Sequence, residues 1–465
     1  MRESFDPAAV PQLNGVFAPV SAELTDAPCA VVQGSIPGDL VGTYLRNGPN
    51  PRFPPIGSYT YPLDGDGMIH AIRFNAGHAS YRNRYVRTPT LLAEEKAGRA
   101  LWGGVMTPIS PSADEVGPDL AQKPFRDMPD INIIRHGGRW LALAEGDLPF
   151  EVTEGLTTCG PWDFFGALPA GLCAHPKIDP ATGEMILFRY GIEPPFLSWA
   201  IIGADGRVSQ PPRPIEIDAA YMIHDCAITE RFLVILVCPL RFDFATADIL
   251  AWEPQRDTRI AVIPRDGRGA VRWFATGPFW VWHIANAYEA GGGEAVVLHY
   301  PYWSHPAFGA AAPATGGLHR MTLHLGTGRA AIDELDNRVC EFPRIDDRRL
   351  GRRHRYLHTG AKDPTLTAEP GIWNALVRYD LETGAAAERR TARLALGEAV
   401  FAPAPSAGVD VEDGGYLLVY ACDRDTLETQ LLILHAADIA GEPAATLRLP
   451  ARVPLGLHGT WVPAI

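Results

Sequence analysis

Four histidines stand out by their settings: His175 in Ala174-His175-Pro176, His224 in Ile223-His224-Asp225, His283 in Trp282-His283-Ile284 and His458 in Leu457-His458-Gly459. Each falls at a strand end or turn among small or apolar neighbours. An imidazole there is costly to bury unless both ring nitrogens have partners. Taken singly, each reads as a hydrogen-bonded core histidine. Their shared setting changes that reading. The gaps of 49, 59 and 175 residues do not suit a helix-borne HExxH pair. They suit ligands that come from separate strands to one metal ion.

Three glutamates also lie among apolar neighbours: Glu145 in LALAEG, Glu341 in VCEFP and Glu398 in GEAVF. Each taken alone is a strand-edge glutamate reaching solvent. As a set they could accept the second ring N–H of metal-bound histidines, fixing tautomer and ring direction, and offset part of the charge of a divalent ion. The other ten histidines read as structural or surface residues. His70, His136, His299, His319, His324, His354 and His435 have ordinary strand or turn contexts, and His78, His305 and His358 read as loop positions. Glu289 reads as structural.

Elements that position such residues must bring distant segments to one point. The 465 residues exceed an ordinary single-core domain, yet no composition shift marks a boundary. That leaves two or three domains, or one large closed architecture. Hydrophobic residues are 46% of the chain, enough for a large core, and 46 Gly with 42 Pro imply dense turns and short strands. Strand-turn-strand units recur: Met68–Phe74 with Ala79–Val86, then Ile131–Ile134 with Trp140–Leu143 across His136-Gly137-Gly138. Further turns fall at Thr182-Gly183, Asp205-Gly206, Asp266-Gly267 and Thr383-Gly384. Helical periodicity is scarce. The pattern predicts an all-β chain, and at this length a radial propeller accommodates it better than a sandwich.

The net charge of −13 argues against nucleic acid as the main partner. Seven cysteines without a CxxC pair give no disulfide framework, and the first residues carry no signal-peptide apolar run. Nothing is long and apolar enough to span a bilayer. A reducing cytoplasm is the expected location. Contact with a membrane surface stays open, since an apolar patch can dock without basic residues. The sequence sets no oligomeric state.

The chain resembles the carotenoid cleavage oxygenases, non-haem iron enzymes that cleave carotenoids, apocarotenoids and stilbenes. The likeness covers nearly the whole chain and rests on motifs in order: LRNGPNP at 45–51, DGDGMIH at 64–70, HGGRWLALAEG at 136–146, AHPKIDPATGEM at 174–185, IHD at 223–225, WHIANAYE at 282–289, CEFPRI at 340–345, GEAVFAP at 397–403 and LGLHGTWVP at 455–463. The resemblance implies a seven-bladed β-propeller, with loops and short helices forming a cap over an axial metal site. One propeller domain would span 1–465, with a leading segment at about 1–40 and cap loops at about 89–128, 147–173 and 300–317.

It further implies Fe(II) bound by His175, His224, His283 and His458, with Glu145, Glu341 and Glu398 behind them. Four neutral imidazoles leave room on iron for O₂, and imidazole suits Fe(II). The implied reaction splits a conjugated C=C bond into two carbonyl products. It needs O₂ and no nicotinamide, flavin or oxoacid, and no protein nucleophile or acid–base pair. The protein's share is to position a small apolar conjugated alkene and exclude water. An apocarotenoid or carotenoid is the expected substrate. Stilbenes and phenylpropenoids stay open: Arg126 stands where stilbene cleavers have a lysine, no tyrosine occurs in 89–128, and Arg126 could hold a phenolate. Arg126, Trp102, Phe164, Phe165 and Trp303 are the candidate substrate-binding residues. Two other classes remain, a calcium-dependent propeller hydrolase such as a lactonase, which needs oxygen ligands, and a non-catalytic propeller that binds apolar ligands.

Overall fold

The computed structural model describes residues 5–464 except 61, 245–248, 307–313, 364, 366–370 and 409. Seven sheets of four or five strands form the blades, and a two-stranded ribbon, Leu240–Phe242 with Leu250–Trp252, stands apart from them. The predicted seven-bladed propeller is what the chain adopts. Local sequence explains the strands well. Phe232–Val237 reads FLVILV and is buried at every position, as a strand sandwiched between neighbouring blades must be. The His136-Gly137-Gly138-Arg139 hairpin needs positive φ at both central residues, and its glycines supply φ of 56° and 76°. In the Asn75–His78 hairpin Ala76 takes the same role at φ 47°, a left-handed conformation that is strained for a residue with a Cβ.

The blades follow chain order. Blade 2 holds Asn132–His136, Arg139–Leu143, Phe150–Val152 and Thr158–Pro161, and blade 3 holds Lys177–Ile178, Met185–Tyr190, Leu197–Ile202 and Val208–Pro214. Blade 4 holds Cys226–Ile228, Phe232–Val237, Thr258–Pro264 and Arg272–Thr276, and blade 5 holds Asn286–Ala290, Ala295–Trp303, Gly316–His324 and Arg329–Asp336. Cys340–Arg344, Tyr356–Ala361, Ala375–Asp380 and Ala385–Arg390 make blade 6, while Leu394–Pro403, Gly415–Asp423, Thr429–His435 and Ala445–Arg448 make blade 7.

Blade 1 closes the ring. Its first strand is Gly459–Pro463, from the far end of the chain, pairing antiparallel with Gly42–Arg46; Met68–Asn75 and His78–Tyr85 complete it. The leading segment adds a second fastening. Ala27–Pro28 extends blade 1 beside His78–Tyr85, and Ala30–Gly34 extends blade 7 beside Ala445–Arg448. Closure leaves no open seam between blades 7 and 1.

Apolar burial is divided among layers between blades rather than gathered in one core. Tyr44, Ile72, Leu418, Leu431 and Ile433 fill the layer between blades 1 and 7, and Val234, Val262, Val296, Leu298 and Met321 that between blades 4 and 5.

The expected cap segments divide unequally. Residues 89–128 carry the helix Pro89–Ala97, capped by Thr88 on the Leu91 amide and ended by Gly98 at φ 68°, and two short helices, Ala113–Val116 and Pro118–Ala121. Residues 147–173 are only partly loop, because Phe150–Val152 and Thr158–Pro161 are the outer strands of blade 2. Likewise 300–303 and 316–317 belong to blade 5 strands, and 307–313 lie outside the described residues. His78 and His358, expected in loops, sit in strands, His358 fully enclosed. Among the described residues no helix is long and apolar enough to cross a membrane.

Leu431 is fully buried between blades 1 and 7 and Leu92 is half exposed on the Pro89–Ala97 helix. Leu431→Ala is expected to cost about 2–5 kcal/mol, and Leu92→Ala to stay within about 0.5 kcal/mol. Urea-unfolding midpoints of the two variants check the contrast.

Candidate metal centre

Each of the four histidines sits just ahead of the innermost strand of a blade. His175 leads into Lys177–Ile178, His224 into Cys226–Ile228, His283 into Asn286–Ala290 and His458 into Gly459–Pro463. The radial arrangement aims these four leaders inward from blades 3, 4, 5 and 1. All four side chains offer a nitrogen within 4.8 Å of every other. Nε2 of His175 and of His224 are 3.1 Å apart, and Nε2 of His224 and of His283 are 3.3 Å apart. Ring centroids of neighbouring pairs lie 4.6–5.1 Å apart.

Backbone ties hold the leaders in place. Asp225 links three of them: Oδ1 accepts from the Cys226 amide and from Lys177 Nζ, 2.7 Å each, and Oδ2 accepts from the Ile284 amide at 2.8 Å. The fourth is pinned by its amide on the Ile131 carbonyl, while its own carbonyl accepts from the Asn47 amide.

Behind the rings stand the three glutamates. Nδ1 of His283 donates to Glu341 Oε2 at 2.5 Å, and Nδ1 of His458 donates to Glu398 Oε1 at 3.0 Å. Nδ1 of His224 lies 3.0 Å from Glu145 Oε2. Glu341 and Glu398 come from the innermost strands of blades 6 and 7, and Glu145 follows the second strand of blade 2. Each carboxylate has an anchor of its own. The Tyr190 hydroxyl donates to Glu145 at 2.7 Å, the Trp303 indole N–H to Glu341 at 3.2 Å, and Arg344 to Glu398 at 3.4 Å.

This donor set fits a cation. With the Nδ1 proton committed to a carboxylate, a neutral ring presents a bare Nε2 lone pair to its neighbours. Nε2 atoms 3.1 and 3.3 Å apart can share a proton in the metal-free protein, and metal–nitrogen bonds of about 2.1 Å would place adjacent ligands at that same spacing. The set is all imidazole, which suits Fe, Co, Zn, Ni or Cu rather than the oxygen-seeking Ca²⁺ or Mg²⁺.

The electrostatics agree. Burial and the adjoining imidazoles push His175 well below its ordinary pKa, and burial pushes His458 down to about 4 against the pull of Glu398. Burial would lower His283 too, but Glu341 outweighs it and the pKa is raised. Glu398 is enclosed, yet Arg344 and His458 hold it down to about 2.

Two aromatic rings flank the cluster. Trp282 and the His224 ring meet edge to face with centroids 5.1 Å apart. Phe342 stacks on His283 at 5.7 Å and meets His458 edge-on at 5.4 Å. Phe342 is left-handed, at φ 53°, within a register shift between Glu341 and Arg344, and this bulge turns its ring toward the histidines. A cavity of about 740 Å³ reaches His175, His283 and His458 among the innermost strands, with Lys177, Asp225, Arg344 and Asp347 in its walls.

Four of the five expected substrate residues are committed elsewhere. Arg126 is buried, 3.7 Å from both Asp66 and Glu94, and donates to the Trp102 carbonyl. Trp102 is fully buried, its indole N–H donating to the Lys123 carbonyl. Phe164 fills the layer between blades 2 and 3, whereas Phe165 is half exposed beneath Arg139 and Arg207. Trp303 alone reaches the centre, through Glu341. Among the apolar ones, only Phe164 is spent in a layer between blades. Sequence reading passed over Tyr190, Asp225, Phe342, Trp282 and Arg344. All but Tyr190 lie inside motifs that were noted, so adjacency to the histidines and glutamates was the usable signal. Glu289 takes the structural place expected, accepting from Thr229 and Arg231.

Enclosed neutral histidines make the metal-free fold acid-sensitive. His354, His358 and His458 all lie near 4, so between pH 6.5 and 4 the unfolded chain binds protons that the folded chain refuses. Glu398 adds stability above its unfolded value that is lost as pH falls toward 2, and His283 acts in the opposite sense, with stability lost as pH rises. Buried acids raised above their ordinary range, Asp64, Asp66, Glu94, Asp130, Asp347 and Glu412, act in the same sense as His283. The eight lowered histidines, which also include His70, His136, His175, His299 and His319, outnumber them. The melting temperature of metal-free protein is expected to fall steadily from pH 7 to pH 4.5, each lowered histidine weighing about 1.4 kcal/mol per pH unit. A flat profile in scanning calorimetry would contradict this balance.

Comparison with known proteins identifies the family. The family model described as RPE65, retinal pigment epithelial membrane protein, matches residues 17–463. A carotenoid cleavage oxygenase of Mycobacterium tuberculosis is 34% identical over 511 residues, covering 97% of each chain. A carotenoid 9,10(9′,10′)-cleavage dioxygenase of Crocus sativus is 32% identical, covering 97% of this chain and 88% of its own. Among solved structures, Pseudomonas brassicacearum lignostilbene dioxygenase superposes with a TM-score of 0.89 at 30% identity, covering 98% of this chain and 99% of that one. Cobalt-substituted apocarotenoid oxygenase of Synechocystis gives 0.84 at 28% identity, covering 96% and 97%. Motif order, ring architecture and the converging imidazoles thus agree, and the chain is a member of the carotenoid cleavage oxygenase family, iron-dependent oxygenases that cleave alkenes.

Proposed function

We propose that His175, His224, His283 and His458 hold one Fe(II) and that the chain cleaves a conjugated double bond of an apocarotenoid or carotenoid, giving two carbonyl products. The convergence of four imidazole nitrogens within 4.8 Å carries this reading. Bound iron would supply O₂ activation, with the electrons drawn from the alkene.

The chain's own residues supply geometry and dryness. Glu341 and Glu398 accept the Nδ1 protons of His283 and His458 and so keep them on the far side of those rings, while Glu145 stands 3.0 Å from Nδ1 of His224. The aromatic rings of Trp282 and Phe342 beside His224, His283 and His458 give the site an apolar flank that suits a conjugated chain and displaces water from the reacting carbons. No side chain needs to act as nucleophile or general acid, because both oxygen atoms of the products derive from O₂.

A second substrate class, stilbenes or phenylpropenoid alkenes, is favoured by the 0.89 TM-score to the lignostilbene dioxygenase. The placement of Arg126 weighs against a phenolic ligand. Its guanidinium lies between Asp66 and Glu94 and is only 7% exposed, so it does not offer a free cation to a phenolate. Calcium-dependent hydrolysis finds no support in the all-imidazole donor set.

Iron-loaded protein is expected to contain about one Fe per chain, consume O₂ and release aldehydes identifiable by mass from a panel of apocarotenals, carotenes, stilbenes and vinylphenols, with apocarotenals turned over fastest. Glu341→Gln is expected to weaken iron binding by about 10–100-fold, and His283→Ala to abolish turnover. Cleavage by protein stripped of metal would overturn the reading, as would polyene binding without O₂ uptake in a loaded sample.

A further inference from the structure

The three carboxylates behind the histidines are not held alike. Glu398 is gripped by a cation, Arg344, and by the Gly459 amide at 2.8 Å. Glu145 and Glu341 are instead anchored by neutral donors with one position in common. Tyr190 is the last residue of the second strand of blade 3, and Trp303 the last residue of the second strand of blade 5.

The backbone fixes both ends. Trp303 exchanges two backbone hydrogen bonds with Trp280, at 2.8 and 3.0 Å, so its indole leaves a doubly tethered strand end. Tyr190 pairs with Leu197 and stacks between Phe188 and Phe242, with centroids 6.5 and 6.2 Å away. Each donor therefore addresses its carboxylate from a rigid support.

The division of labour at Glu341 is visible atom by atom. Oε2 accepts from His283 Nδ1 at 2.5 Å and from the Phe342 amide at 2.6 Å, while Oε1 takes the Trp303 indole N–H at 3.2 Å. At Glu145, Oε1 takes the Tyr190 hydroxyl at 2.7 Å, leaving Oε2 facing His224 at 3.0 Å. In both cases one oxygen is claimed by the strand-end donor and the other is turned to the imidazole. A carboxylate on a rotatable side chain has two equivalent oxygens, and pinning one selects the rotamer that orients the ring.

We propose that Tyr190 and Trp303 are positioning residues of the metal centre, acting through Glu145 on His224 and through Glu341 on His283. Trp303 thereby has a task beyond lining the substrate side, and a change at this strand end reaches the metal without touching a ligand. The inference rests on the proposed four-histidine metal site.

Tyr190→Phe and Trp303→Phe each delete one donor and keep an aromatic ring. Both variants and wild-type protein are loaded with Co(II), titrated against a chelator, and examined by visible absorption. Each variant is expected to bind Co(II) about tenfold more weakly, at the lower edge of the effect of removing a partner of a ligating histidine, with shifted absorption bands. In the iron form, kcat should fall with KM little changed. Circular dichroism and melting of the metal-free proteins establish that both variants fold; if one does not, the other decides alone.

Wild-type affinity and bands in a folded variant would overturn the proposal. So would a rise confined to KM, which would make Trp303 only a wall. A wild-type chain that binds neither iron nor cobalt would instead reject the underlying site, so the two failures are told apart.

Discussion

Convergence of four enclosed imidazoles is the constraint on which this structure turns. Four imidazole nitrogens are held within 4.8 Å, and the contacts between His175, His224 and His283 can share only a proton or two among them, too few to satisfy every inward nitrogen. A chain that spends burial and backbone order on that arrangement must be compensated, and a divalent cation is the natural compensation. The carboxylates set behind the rings make the same point. Glu341 and Glu398 draw a proton to the outer nitrogen of His283 and His458 and so sharpen the inner lone pair. Glu398, kept ionised by Arg344 and His458 although enclosed, shows how much charge the core accepts for this purpose.

The ring architecture follows from that demand. Residues 175 and 458 meet because blade 1 is stitched from both ends of the chain, and the leaders to four innermost strands all open toward the axis. Burial between blades, rather than one central core, leaves the axis free for polar side chains. Cavity walls with Lys177, Asp225, Arg344 and Asp347 would be intolerable in a sandwich core, yet here they are paired and lie around the axis.

Much of this was legible in the sequence, for particular reasons. Histidines beside small or apolar residues at strand ends carry a strong local signal, and so do glutamates between alanines and valines. Hairpins announced themselves through His136-Gly137-Gly138 and the Asp-Gly and Thr-Gly turns. What the sequence did not reveal is where an apolar loop residue is spent. Trp102, Phe164 and Phe165 have the composition of a tunnel wall, but Phe164 serves the layer between blades 2 and 3, and Phe165 stacks under two arginines outside it. Arg126 is hidden for a related reason: a lone arginine in a polar loop gives no sign in the sequence that Asp66 and Glu94 fold against it. Tyr190 gave no signal, because its role depends on a carboxylate 45 residues away.

The seam of blade 1 carries one more consequence. His458 immediately precedes Gly459, and Gly459 pairs with Arg46 as the ring shuts. Mechanical closure and delivery of the fourth imidazole are therefore a single event: with Gly459–Pro463 unpaired from Gly42–Arg46, the open ring presents at most three of the four imidazoles at its axis. Any loosening of this seam is thus transmitted directly to the polar cluster it encloses.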